Sequence, residues 1–272
     1  MSLKNNKGEC ELWDLFENRT HLIKTPHSPE YISTIEFCEG GCLLMRIDDE
    51  SLQYFNPFTG TKWEYPPRDM IIWGYAFSTA CSSPDDDNLT IGIFGYDNFI
   101  EIACFKAASE EWDYHPIIPN EDIGIELNLN STPRYHDGAF YFIGVKGNLG
   151  ILRMLGEKWS WKVYDSPLAI QARSKVNSSY IVELDGQLTS VLFQEVGKKV
   201  QMFRFENLEE RWVELHDLGE HVLFLSPASS FSIVEKDRAM RNRIYLSKRV
   251  GNGIVYYSPE TRSTTFWARP MF

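Results

Sequence analysis

Positive charge is scarce in this sequence: 27 Lys and Arg stand against 38 Asp and Glu in 272 residues, a formal net charge of −11. A surface that neutralises phosphates needs the opposite balance, which argues against nucleic acid as a partner. Cysteine is sparse and unpatterned. The five are Cys10, Cys38, Cys42, Cys81 and Cys104, an odd number without the spacing of a disulfide framework, and reduced thiols are expected. No apolar run nears the roughly 20 residues that span a bilayer. The opening MSLKNNKGEC is polar and lacks the apolar core of a secretion leader. Membrane insertion and export are therefore not expected, and the sequons at Asn18, Asn88, Asn130 and Asn177 read as chance matches. A cytoplasmic or nuclear location follows. Sustained helical periodicity is missing, apart from a possible single turn at 237–242. So are G-x-S-x-G, G-x-x-x-x-G-K-[ST] and G-x-G-x-x-G, the turns that present a nucleophile or cradle phosphates.

Aromatic residues are abundant, at 14% of the chain, and suit a pleated, half-buried surface. They recur with a rhythm: an apolar strand, a short polar turn, then a strand carrying an aromatic, usually followed by Pro. The pattern appears in 11–26, 52–67, 101–116, 150–167, 200–218 and 253–270. Its anchor position reads Leu22, Trp63, Trp112, Trp161, Trp212 and Phe266, with spacings of 41, 49, 49, 51 and 54 residues. Propeller blades of the WD40 and kelch kinds run about 40–50 residues per four strands.

Each interval has room for two more strands. Gly40-Gly41, Asp137-Gly138 and Asp185-Gly186 lie between apolar runs and signal hairpins. Further strand pairs are read at 72–81 with 89–94, and at 231–235 with 243–247 across a longer loop. The sequence predicts an all-β protein: a β-propeller of about five four-stranded blades plus an incomplete N-terminal blade, six blade-like repeats in one domain over 1–272. A single sheet of this size cannot bury both faces, whereas radial stacking buries them against each other.

Asn56-Pro57-Phe58-Thr59-Gly60 followed by Tyr65-Pro66-Pro67 resembles a strand–turn–strand of the plant F-box-associated β-propellers, in particular the KIB-type group, which are kelch-like. The hairpin 38–45 and the stretches 178–191 and 200–218 are similar to segments of the same family. The resemblance implies a substrate receptor, in which an F-box docks onto the adaptor of an SCF ubiquitin ligase and the propeller holds the target. Nothing like an F-box precedes Glu9, so the SCF adaptor is expected as a partner only if an F-box stands upstream.

The candidate chemistry is thin. Asp85-Asp86-Asp87 is the densest acidic run, yet three consecutive side chains cannot converge on one centre, and a solvated loop is expected. Cys38 and Cys42 lack two further zinc ligands. His136-Asp137 reads as a strand entering a turn. No catalytic residue, metal or cofactor is expected, and the chain is read as a non-enzyme that binds another protein. The alternatives are a propeller enzyme acting on a sugar or small molecule at the central channel, and an inactive F-box-less fragment.

The clearest asymmetry is 236–249, where Lys236, Arg238, Arg241, Arg243, Lys248 and Arg249 face Asp237 alone. It reads either as a solvated, charged hairpin or as a docking patch for an acidic or phosphorylated surface. Propeller geometry adds Arg68, Tyr96, Arg134, Lys146 and Arg173, on loops expected to share one face.

Overall fold

Strands form where the apolar–polar alternation is strongest, and the turns between them fall where the chain can take a positive φ. The computed structural model describes residues 2–4, 9–14, 19–24, 34–47, 51–67, 74–78, 89–96, 99–106, 111–116, 125, 131–155, 158–165, 167, 176–194, 199–250 and 253–268. No helix occurs among them. The chain divides into two compact units, Met1–Tyr96 with Ile100–Pro116, and Asp97–Phe99 with Ile117–Phe272.

The first unit holds three sheets. β1 (Ser2–Lys4), β2 (Glu9–Asp14) and β3 (Arg19–Lys24) form a three-stranded sheet. β4 (Thr34–Glu39), β5 (Cys42–Arg46), β6 (Leu52–Phe55) and β7 (Lys62–Glu64) form a meander in chain order, as do β8 (Gly74–Phe77), β9 (Leu89–Tyr96), β10 (Phe99–Lys106) and β11 (Asp113–Pro116). Phe37 and Tyr54 pack against Phe77, joining the second sheet to the third. The Trp112 ring stacks on Tyr65 at 5.6 Å, and its Nε1 donates to the Pro66 carbonyl at 3.0 Å.

The β6–β7 turn explains the Asn56–Gly60 motif. Asn56 Oδ1 accepts the amides of Phe58 and Thr59, at 2.9 and 3.1 Å, and Gly60 closes the turn at φ +77°. Asn serves here because its short amide can stand in for a backbone acceptor. Phe58 lies across the β4–β5 turn, where a Cβ on Gly41 would come within 3.0 Å of its ring. Beneath, Tyr54 OH donates to Cys42 Sγ at 2.7 Å. Cys42 is disulfide-bonded, whereas Cys38 and Cys104 are in no disulfide, so the expectation of uniformly reduced cysteine does not hold at Cys42. Framework spacing was the wrong guide, because a disulfide needs proximity in the fold and no particular separation in sequence.

The second unit also holds three sheets. β12 (Arg134–His136), β13 (Ala139–Ile143), β14 (Leu149–Leu155) and β15 (Lys158–Tyr164) form one, and β16 (Val176–Leu184), β17 (Gln187–Gln194), β18 (Lys199–Glu206) and β19 (Arg211–Leu215) the next. The first hairpin of each turns through Asp-Gly with both residues at positive φ: 45° and 74° at Asp137-Gly138, 52° and 71° at Asp185-Gly186. That geometry matches the twist of the flanking strands. The last sheet contains β20 (His221–Leu225), β21 (Ser230–Val234), β22 (Arg243–Val250), β23 (Gly253–Ser258) and β24 (Ser263–Ala268), in the order β21-β20-β22-β23-β24. Tyr141, Ile143, Ile181, Leu192 and Phe203 fill the space between the first two of these sheets; Val182, Val191, Leu223, Leu225 and Ile244 fill that between the second and third. Each such side chain, fully buried, contributes about 1.5–3 kcal/mol.

Five of the six anchor positions fall on the last strand of a sheet. Leu22 is in β3, Trp63 in β7, Trp161 in β15, Trp212 in β19 and Phe266 in β24, and Trp112 immediately precedes β11. Trp112 stacks on Tyr65, just past β7, and Trp63 stacks on Tyr54 of its own sheet. Trp161 meets Phe142, and Trp212 meets Phe203 and Phe205, edge-on within their own sheets, and Trp212 also borders the cluster between the first two sheets of the second unit. Blade number needs correction. Among the described residues four sheets, not five, have four strands; the first has three and the last has five. The pairing of 231–235 with 243–247 also fails, because β20 stands between β21 and β22, antiparallel to one and parallel to the other.

Candidate protein-docking surface

Glu235–Asn242 joins β21 to β22 and carries the first half of the basic segment. Asp237 shapes it: its Oδ1 accepts the Ala239 amide at 2.8 Å, and its carbonyl accepts those of Met240 and Arg241 at 3.0 and 3.2 Å. This is the single helical turn read at 237–242. Glu235 Oε1 likewise accepts the Asp237 amide at 2.8 Å. Both carboxylates of the loop are thus engaged by its own backbone. Arg241 and Arg243 are structural. Arg241 donates to the Glu235 carbonyl and pairs with Glu220, each at 2.6 Å, while Arg243 lies 4.4 Å from the centre of the Tyr256 ring. Lys236 and Arg238 differ. Both are exposed, and no ion pair joins either to another described residue. Lys248 and Arg249 lie within β22.

The remaining candidates do not form one surface with these. Arg134 opens β12, and Lys146 sits in the β13–β14 turn at the same end of that sheet. Arg134 Nη1 donates to the Ser230 carbonyl at 3.3 Å, at the start of β21. Lys236 and Arg238 follow the end of β21. The two groups are therefore separated by the length of that strand. Tyr96 ends β9. Arg68 and Arg173 lie outside the described residues, as does Asp85-Asp86-Asp87.

Two histidine–carboxylate pairs fasten the tip of the β16–β17 hairpin. His136 Nδ1 meets Glu183 Oε2 at 3.3 Å, tying β12 to β16. His221 Nε2 meets Asp185 Oδ1 at 3.0 Å, tying β20 to the turn. His136 thus pairs across sheets and not with its neighbour Asp137. Beside the second pair lies an open cleft of about 490 Å³, bordered by Asp185, Arg204, Asp217, Glu220 and His221 over an apolar floor of Leu184, Leu215, Leu218 and Val234. No nucleophile is set against either histidine, and no group of three or more His, Cys, Asp or Glu suited to a metal occurs among the described residues. In the β18–β19 turn, at the same end of that sheet, Glu210 accepts from Lys162 Nζ at 2.7 Å and from Tyr164 OH at 2.9 Å. The hydrogen bond from Lys162 holds the Glu210 carboxyl below its ordinary range, and the same bond raises the ammonium.

Sequence reasoning missed both histidine pairs, because their partners lie 47 and 36 residues apart and come together only when the sheets stack. It missed β21 as an exposed edge because β20 carried no turn signal of its own.

The fold is similar to solved β-propellers. The likeness to the β-propeller domain of Cps50 (Swd1) from Myceliophteria thermophila covers 98% of this chain and 81% of that one, with a TM-score of 0.53 at 10% identity. The likeness to TolB from Acinetobacter baumannii covers 95% of this chain but only 59% of that one, with a TM-score of 0.52 at 15% identity. At such identities the likeness defines the class alone, an all-β propeller. A comparison with curated proteins finds no match. The model of the KIB1-4 beta-propeller family matches residues 12–264, and the chain belongs to that family.

Proposed function

We propose that this chain is a protein-binding propeller, a target-recognition module of the F-box-associated kind, which docks an acidic or phosphorylated protein surface at the loop after β21. The observation that carries the reading is the state of that loop. Its two carboxylates are occupied by its own amides, Arg241 and Arg243 hold it in place, and Lys236 and Arg238 are left exposed as cations. Guanidinium and ammonium groups held on a fixed loop suit carboxylate or phosphate, and rim charges of this kind set association rate and specificity. Family membership supports the reading, since the resemblance implies a substrate receptor. Ubiquitylation of the bound protein would require an F-box, in this chain or in a partner, to reach the SCF adaptor. Catalysis is not part of the proposal, and the place of action is the cytosol or nucleus.

The test is capture of partners on the immobilised chain, followed by mass spectrometry, with Lys236→Glu/Arg238→Glu alongside. The reading expects a stable partner that the double reversal loses. A partner set unchanged by the reversal, or a wild-type chain that retains nothing, contradicts it.

A further inference from the structure

We infer that the open edge of β21 is a docking strip for an extended acidic segment, which adds to the last sheet as a sixth strand. The inference deepens the protein-binding reading above and rests on it.

β21 is an unusual edge. In the other sheets of this unit the first strand pairs with the second, but here β20 is inserted between them. The insertion displaces β21 outward by one strand spacing, about 4.8 Å. Among the described strands β21 ends the sheet, and it lies beside β16, which it touches through Ser232 Oγ, a donor to the Glu183 carbonyl at 2.6 Å. The phase of its hydrogen bonds can be read from the register. The Glu235 amide donates to the Glu220 carbonyl at 2.9 Å, in line with the pairs Ile233–Val222 and Phe231–Phe224. In an antiparallel pair, bonding to the partner alternates residue by residue. Phe231 and Ile233 therefore bond towards β20, and Ser230, Ser232 and Val234 turn their peptide groups to the open edge. Arg134 agrees with this phase, since it takes the outward Ser230 carbonyl. The peptide groups of Ser232 and Val234 remain as the template.

Two apolar side chains beside that template are exposed. Phe231 is 46% exposed and Val234 61%. An exposed apolar edge is a liability in a free protein, and natural sheets usually blunt it with charge, Pro or a covering loop. In this chain its two ends carry cations, Arg134 at its start and Lys236 and Arg238 just past its end, while the Val234 side chain borders the cleft with Asp185, Asp217 and Glu220. From Ser230 to Lys236 is about 20 Å of extended chain. A strand laid along this edge would place its backbone on Ser232 and Val234 and its two ends against positive charge. The complement is an extended segment with apolar side chains and Asp or Glu at its flanks, the strand-addition mode of recognition.

The test uses the full chain and a fluorescein-labelled, end-blocked eight-residue peptide of alternating Glu and Val, read by anisotropy. A Lys–Val peptide and a Glu–Val peptide N-methylated at alternate amides serve as controls. The proposal expects saturable binding of the first peptide and at least tenfold weaker binding of both controls. Val234→Pro removes an outward amide without touching a bond to β20; it should weaken binding at least tenfold with an unchanged melting temperature. Should that variant unfold, the N-methylated peptide still decides. Equal binding of the methylated peptide, or no binding of the Glu–Val peptide at millimolar concentration, overturns the proposal. So does a dimer that forms with rising concentration and disappears in Val234→Pro, because a second copy would then own the edge. A captured partner held equally by the wild type and Val234→Pro leaves the protein-binding reading intact and overturns strand addition alone. A chain that binds the peptide and captures nothing does the reverse.

Discussion

Gly150 and Trp161 illustrate how one residue sets a packing distance. A Cβ at Gly150 would stand 2.3 Å from Trp161 Cη2 on the next strand, so an indole fills the place a side chain would take. Gly150→Ala should destabilise the chain by about 1–3 kcal/mol, the usual cost of overpacking, measured as a shift of the urea midpoint. The spacing of the tryptophans was legible in the sequence; the glycine beneath one of them was not, because nothing in GILRML says which neighbour will lean across it. Buried tyrosines give a second prediction at this scale. Burial raises the phenols of Tyr54, Tyr141, Tyr180, Tyr245 and Tyr257 above their ordinary value of 10.0. A raised folded value means that the folded chain holds protons the unfolded chain has released. Their contribution is complete below about pH 10 and is lost as pH rises through the folded values. Ultraviolet titration should show a tyrosine fraction ionising only with alkaline unfolding.

Among elements, the Lys162–Glu210–Tyr164 cluster joins β15 to the β18–β19 turn across two sheets. Its carboxyl is lowered, so its contribution is present above the ordinary carboxylate range and is lost as pH falls through the folded value. The Lys162 ammonium is raised, so its contribution is present below its ordinary value and is lost as pH climbs through the folded one. Glu210→Gln should therefore lower the melting temperature slightly at pH 7 and not at pH 2, where the wild-type carboxylate is protonated too. Equal melting temperatures at both pH values would remove the cluster from the account. Hairpins were the most readable elements, because Asp-Gly and Gly-Gly dictate their turns locally. β20 was not readable. His221–Leu225 is a short run with four apolar residues whose place between β21 and β22 depends on two strands that both follow it in sequence, one of them paired in parallel. Parallel neighbours leave no short turn signature.

At the scale of the whole molecule, a chain of net −11 presents two exposed cations beside an apolar edge. Docking there should depend on salt. Raising ionic strength from 50 to 500 mM should weaken partner binding several-fold, with a smaller effect on Lys236→Glu/Arg238→Glu, measured by surface plasmon resonance. Charge reversal at Lys146, at the opposite end of β21, should weaken it less. The sequence showed that a basic segment exists. Which of its members are committed to the fold emerged only with Glu220, Glu235 and Tyr256 in place, because Glu220 and Tyr256 come from other segments and the Glu235 carbonyl is brought to Arg241 by the turn between them.

The most direct test is amide hydrogen exchange on the full chain, alone and with its captured partner. The account predicts slowed exchange concentrated in 230–243, where the edge strand and its cationic loop lie. Protection confined to other segments, with exchange in 230–243 unchanged, would contradict it.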